Sequence, residues 1–279
     1  MNHKCPRLAH EQLVRECKEI GLSRGDTIMV HASMRAVGEI LGGPDVLIAA
    51  LLETLGGEGT TMVYVGCQSP FDDVGRGVYT PEEEAFILEH CPPFEPDKAR
   101  ASRDFGAFAE FFRTTPGVIC SQNPGCRMAA IGAKAEWMLN NHLLNYGLGT
   151  GSPLERLCDV GGKVVLIGSD LDAVTLLHYA EAIAPISEKK IVRIRVPLLR
   201  SSEKQWLDVE EYNSSTGICD WPDRFFAEIV ERYLKLHGAT SRIGQATTYV
   251  LDAKELVEFA VPVMVETAKQ LGGYKLLEA

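Results

Sequence analysis

The sequence contains no CxxC pair and no Cys/His spacing of the kind that closes a metal site, although eight cysteines are scattered through it (Cys5, Cys17, Cys67, Cys91, Cys120, Cys126, Cys158 and Cys219). It also lacks an apolar leader, since the opening MNHKCPRLAH is polar. Together these absences lead us to expect free thiols and a cytoplasmic location. No apolar run approaches the length of a membrane span, so no membrane role is expected. Neither GxGxxG after a strand nor GxxxxGK[ST] opens a helix, which leaves the dinucleotide and P-loop readings without support. Positive charge is in deficit as well. There are 28 Lys and Arg against 38 Asp and Glu, a formal net charge of −10, which disfavours a nucleic-acid partner. Such a surface either serves solubility or draws in a polycation.

What is present suits a globular enzyme-sized chain, with 279 residues of which 46% are hydrophobic. No internal repeat, low-complexity tract or linker is visible, so one continuous domain over 1–279 is expected. Helical periodicity covers His10 to Glu19, and Pro44 opens a helix through Leu55. Further helices are expected at Phe105–Arg113, Ala133–His142, Leu171–Ala184, Arg224–Leu236 and Ala253–Leu271. Three helix starts carry the capping-box pattern: Thr80 with Glu83, Ser152 with Glu155, and Asp252 with Glu255. Short apolar runs at 27–31, 60–65, 163–168, 190–198 and 246–251 read as strands. Strands and helices are interspersed, which indicates an α/β class with a mixed sheet core flanked by helices. The Gly- and Asp-punctuated stretch CQSPFDDVGRGVYT is expected to be a long loop.

Two segments carry chemistry. In GSDLDAVTLLHYAEAIAP (168–185) a strand ends, a short turn follows, and a helix begins near Asp172, which is expected to be its N-cap. Thr175, His178 and Glu181 then recur every three residues and share one helical face. A glutamate one turn from a histidine can orient the ring and stabilise its protonated form, the supporting half of a general-base dyad. The same spacing also suits a half-buried histidine with an ion-pairing neighbour. In HASMRAVGEILGGPD (31–45), small residues between a strand and a Gly-Gly-Pro helix start would let a phosphate-bearing ligand approach the backbone, with Arg35 adding fixed positive charge. An ordinary turn has the same composition.

These segments, together with TTMVYVGCQ (60–68), HCPPFEPDKARASRDFG (90–106), YGLGTGSPLERL (146–157) and LIGSDLDAVTLLHYAE (166–181), resemble the aminoglycoside 3-N-acetyltransferases, a family distinct from the GNAT acetyltransferases. The resemblance implies acetyl-CoA as donor, an aminoglycoside amine as acceptor, no metal, and a cleft between a CoA-binding side and an acidic acceptor side. It places His31, Ser33, Met34, Arg35, Ala36, Val37 and Gly38 on the donor loop, and Arg100 and Arg103 near the CoA phosphates. It places Tyr64, Asp72, Asp172, Glu210 and Asn213 on the acceptor side. His178 is then the base, Glu181 its support, and Thr175 a candidate donor to the oxyanion. This chain departs from many relatives in having Asn123 before Pro124, where those carry His, and in having Arg127 where a small polar residue is frequent. That departure leaves His178 as the base candidate.

Other readings are an acyl-Cys67 intermediate, a same-fold acetyltransferase for another amine, a non-catalytic CoA- or sugar-binding module, and a metal hydrolase built on His31, His178 and Asp172. The last lacks an HExxH motif. The chain is expected to act as a monomer or homodimer.

Overall fold

The computed structural model describes residues 7–67, 69–237 and 240–272. Its helices are α1 (His10–Glu19), α2 (Met34–Val37), α3 (Pro44–Leu55), α4 (Pro81–His90), α5 (Gly106–Arg113), α6 (Ala135–Leu139), α7 (Pro153–Asp159), α8 (Leu176–Ile183), α9 (Phe225–His237) and α10 (Ala253–Leu271). The strands are β1 (Thr27–Ala32), β2 (Thr60–Tyr64), β3 (Ile119–Cys120), β4 (Met128–Gly132), β5 (Lys163–Ile167), β6 (Ile191–Arg200), β7 (Glu203–Tyr212), β8 (Ser241–Ile243) and β9 (Ala246–Asp252). No described helix is long and apolar enough to cross a membrane.

Seven strands form one mixed sheet in the order β3-β4-β2-β1-β5-β9-β8. Its centre, β2-β1-β5, is parallel, and both flanks are antiparallel. Apolar residues fill both faces of the central strands, as a doubly covered sheet requires. On β1, Ile28 and Val30 face a core shared with α1, α3 and α5, while Met29 faces the core shared with α6 to α10. On β5, Val165 and Ile167 join the first core, and Val164 and Leu166 the second. The class is therefore α/β, with helices on both faces of a mixed sheet.

All three N-caps form, but only the first is a full capping box. Thr80 and Glu83 form a reciprocal box, Ser152 accepts from the backbone N–H of Leu154 and Glu155, and Asp252 accepts from Glu255. Three expectations are corrected. The helix expected over Ala133–His142 is only α6, because the chain turns at Asn141 (φ 53°) and buries His142 in the loop. The helix expected from Leu171 is a 3₁₀ turn, Leu171–Ala173, followed by α8. The long loop after β2 contains a 3₁₀ turn at Pro70–Asp73. Beyond the main sheet, β6 and β7 pair antiparallel as a separate two-stranded arm.

Candidate active site

In an open sheet with parallel central strands, ligands gather beyond the strands' C-terminal ends. A cleft of about 660 Å³ lies there. Its walls include Val30 to Ser33 at the end of β1, Val63 and Tyr64 at the end of β2, and Gly168 to Asp170 just beyond β5. Thr175 and His178 line it from the start of α8, and Ser214 and Ser215 from the turn after β7.

His178 Nδ1 lies 2.7 Å from Glu181 Oε2, one turn away on α8. A carboxylate only accepts, so Nδ1 carries the proton and Nε2 keeps its lone pair for the cleft. Phe226 packs against the ring with centroids 4.9 Å apart. Glu181 is 1% exposed and its other oxygen accepts from the indole N–H of Trp221 (2.6 Å) and the backbone N–H of Ile218 (3.2 Å). A buried carboxylate with donors on both oxygens is in the state that can charge-balance an imidazolium. Thr175 is buried at the head of α8, within the cleft wall.

After β1, Ser33 caps the one-turn α2, its Oγ accepting from the Ala36 N–H. That loop rests directly on the turn after β5: a Cβ at Gly168 (φ +63°) would sit 2.4 Å from Ala36 Cβ. Gly168 is thus the residue that lets the two loops touch. His31 ends β1 with its Nε2 buried and without a protein partner, and burial pulls the ring down to about 4. Met34, Arg35, Val37 and Gly38 belong to the same α2 segment, Arg35 exposed and Val37 in the core.

The structure does not bring every expected residue to this cleft. Arg100 is engaged with Glu110 (2.6 Å), and neither it nor Arg103 is among the cleft's lining residues. Tyr64 does line the cleft, with Phe105 edge-on at 4.6 Å. Asp172 lines it too, but it does not cap α8. Asp170 caps the 3₁₀ turn, and Asp172 instead accepts from the Ala227 N–H, tying down the start of α9. Glu210 lies in a neighbouring groove with Arg193, Arg195 and Asp208. Bonds from Tyr146 and then Arg193 hold its carboxyl below the usual carboxylate range. Asn213 is engaged within its own turn, accepting from Ser215 and Thr216. Asp72 sits on the 3₁₀ turn at 70–73, its side chain outside the described residues.

Asn123 is a buried clamp. It donates to Leu143 O (2.6 Å) and accepts from Cys126 N–H (2.7 Å). Arg127 is fully buried, donates to Pro96 O, and faces the ring of Phe94. Cys67, the nucleophile of the alternative scheme, is not among the cleft-lining residues. Among the described residues, no group of three His, Cys, Asp or Glu side chains could hold a metal ion.

The sequence reading missed Asp104 and Asp170, which add acidic groups to the cleft, and Ser214 and Ser215. Asp170 is bound on both oxygens by Arg224 at 2.8 and 2.9 Å. A signal for Asp170 was present in the same turn as Asp172, whereas nothing local marked the serines.

The family profile described as aminoglycoside 3-N-acetyltransferase matches residues 29–265. An aminoglycoside N(3)-acetyltransferase III of Pseudomonas aeruginosa is 39% identical over 254 residues, covering 90% of this chain and 92% of its own. An aminoglycoside N(3)-acetyltransferase VII of Streptomyces paromomycinus is 35% identical, covering 91% of each. Among solved structures, AAC-IIIb in binary complex with CoASH superposes with a TM-score of 0.89 at 40% identity, covering 94% of this chain and 98% of that one. AAC-VIa bound to sisomicin superposes at 0.87 with 35% identity, covering 94% and 99%.

Proposed function

The chain belongs to the aminoglycoside 3-N-acetyltransferase family, and from this we infer that it transfers acetyl from acetyl-CoA to the 3-amino group of an aminoglycoside's 2-deoxystreptamine ring, a modification that confers antibiotic resistance. The observation that carries the reading is the His178–Glu181 pair at 2.7 Å, opening onto an acidic cleft beside a glycine-dependent loop contact.

An aminoglycoside amine is largely protonated near neutral pH and attacks a thioester only as the free base. In the proposed step, the ammonium proton is first lost to solvent, and His178 Nε2 then takes a proton from the neutral amine as its nitrogen bonds to the acetyl carbonyl carbon. Glu181 balances the imidazolium. When the tetrahedral intermediate collapses, the carbon–sulfur bond breaks and the proton returns from His178 to the departing sulfur, giving CoASH. Thr175 or nearby backbone N–H groups stabilise the oxyanion.

The donor side is assigned to residues 31–38. His31 leaves a buried nitrogen unpartnered there, and Gly168 keeps the loop seated. Arg100 and Arg103 are proposed to meet the CoA phosphates farther out. Tyr64, Asp172 and the added Asp104 and Asp170 form the acceptor side, and their charge steers a polycation inward. Glu210 and Asn213 are assigned to shaping that side, and Asp72 to its acidic surround. We assign all of these residues to one domain over 1–279, acting as a monomer or homodimer. Acetyl-CoA as donor fits a cytoplasmic location.

The direct test is release of free CoA thiol on mixing the protein with acetyl-CoA and a panel of aminoglycosides. Release with gentamicin or kanamycin supports the reading, and absence of release across the panel sinks it. A narrower test addresses the donor loop. Gly168→Ala forces a side chain into a positive-φ site, at a cost of about 1–3 kcal/mol, so the KM for acetyl-CoA is expected to rise about 10-fold. An unchanged KM would remove the Gly168–Ala36 contact from donor binding.

A further inference from the structure

Glu181 owes its position to a segment distant in sequence. The turn after β7 reaches back to α8 and places two donors on one carboxylate oxygen, the Trp221 indole N–H at 2.6 Å and the Ile218 backbone N–H at 3.2 Å. Among the described residues, the other oxygen meets His178 Nδ1, at 2.7 Å. Three further contacts fix the turn. Trp221 stacks on Phe225 with centroids 4.6 Å apart, at the start of the helix whose Phe226 packs on the His178 ring. Lys190 N–H donates to Ile218 O at 2.9 Å. Gly217 (φ +84°) lies so close to the indole that a Cβ there would stand 2.3 Å from Trp221 Cδ1.

We propose that Trp221 is a positioning residue for acetyl transfer: its indole N–H holds the Glu181 carboxylate aimed at His178 Nδ1, so that Nε2 faces the acceptor amine as a base. This rests on the acetyltransferase reading of the same cleft. Removing a donor from a buried carboxylate makes the His178–Glu181 pair bind its proton more tightly, so the base is neutral over a narrower pH range. The other groups facing the carboxylate do not substitute for the indole. Lys189 points its ammonium at Ala182 O and over the Tyr212 ring, and burial lowers its proton affinity. Burial pushes the Cys219 thiol up to about 11, which keeps it neutral. On the cleft side lie the hydroxyls of Ser214 and Ser215 and the carboxylate of Asp172, which is engaged with Ala227 N–H.

Trp221→benzothienylalanine tests this directly, because sulfur replaces the N–H and the ring system keeps its size. The first readout needs no substrate. The His178 imidazole is titrated by NMR, its signal assigned by its loss in His178→Asn. The titration midpoint is expected to move up by about one pH unit. The second readout is kinetic, where kcat near neutral pH is expected to fall about 10-fold, the size of one charged hydrogen bond. The acidic limb of the pH profile should shift in step, with the KM for acetyl-CoA held within about twofold. Gly217→Ala, which pushes the indole away, should move the titration in the same direction. An isostere that titrates and turns over like the wild type, while Trp221→Phe loses activity, would reduce Trp221 to packing and overturn the proposal. If no aminoglycoside is acetylated by the wild type, the functional reading fails separately and the titration still decides the brace.

Discussion

Replacing His178 by alanine is expected to lower kcat for aminoglycoside acetylation by about 10²-fold or more at neutral pH. The loss follows from the acceptor. Its amine attacks as the free base, after losing its ammonium proton to solvent, and the second proton that the nitrogen sheds on bonding to the carbonyl carbon needs an acceptor in the cleft. The proposed acceptor is His178, whose Nδ1 is committed to Glu181 and whose ring lines the cleft. The KM for acetyl-CoA should stay near the wild-type value, because the proposed donor residues at 31–38 belong to a different segment from α8. His178→Asn is the companion variant: its side-chain amide can still donate to Glu181 and so avoids stranding a buried carboxylate. Equal loss in both variants assigns the effect to the missing base. Turnover close to wild type in both would remove His178 from the mechanism while leaving the acetyltransferase function in place.

The dyad was legible in sequence because it is local. Three residues on one helix give the same geometry wherever the helix lies, and α8 keeps it although its start shifts from Asp172 to Thr175–Leu176. The caps at Thr80, Ser152 and Asp252 were legible for the same reason. What escaped depended on distant partners. Asp172 bonds to a residue 55 positions away and Glu181 to one 40 positions away, and no spacing rule joins them. Strand β7 escaped for another reason. EKQWLDVEEY faces solvent on one side, where Arg193 and Arg195 stand opposite Glu210 and Asp208, so charge pairing stands in for apolar alternation. Its hairpin turns on Ser201 and Ser202, both at positive φ, without the Asn-Gly signature that marks such turns. The acidic cleft was foreseen in character, but Asp104 and Asp170 reach it through the tertiary fold, while Glu210 and Asn213 have their polar atoms engaged close by.

The loop around Asn123 leads to the second large expected effect, which is on stability. Asn123 belongs to a buried knot that holds the loop at 141–149. His142 Nε2–H donates to Gly147 O at 2.6 Å, and Ser121 Oγ lies 2.9 Å from Nδ1. Gly147 N–H donates to Glu211 Oε1 at 2.6 Å. Burial pushes Glu211 up from 4.5 to about 7, against the lowering effects of its bonds to Gly147 and Cys126. A carboxyl whose folded value is raised binds more protons in the native than in the unfolded chain between those limits. Its contribution therefore falls as pH climbs from 4.5 to about 7 and is flat above that, a loss on the order of 2–3 kcal/mol. His31 and His142 act in the opposite sense. Burial holds both near 4, so the unfolded chain takes up protons first as pH drops from 6.5, and acid destabilises. Raw stability of the wild type mixes these terms, but the difference from Glu211→Gln isolates one of them. The amide oxygen can still accept from Gly147, and no charge has to be buried. Urea unfolding of both proteins at pH 5 and pH 8 should show the glutamine variant gaining about 2–3 kcal/mol on the wild type over that interval, whatever fixed offset the substitution adds. Parallel behaviour at the two pH values would mean that Glu211 is ionised in the native knot throughout, its charge carried by the Gly147 and Cys126 donors.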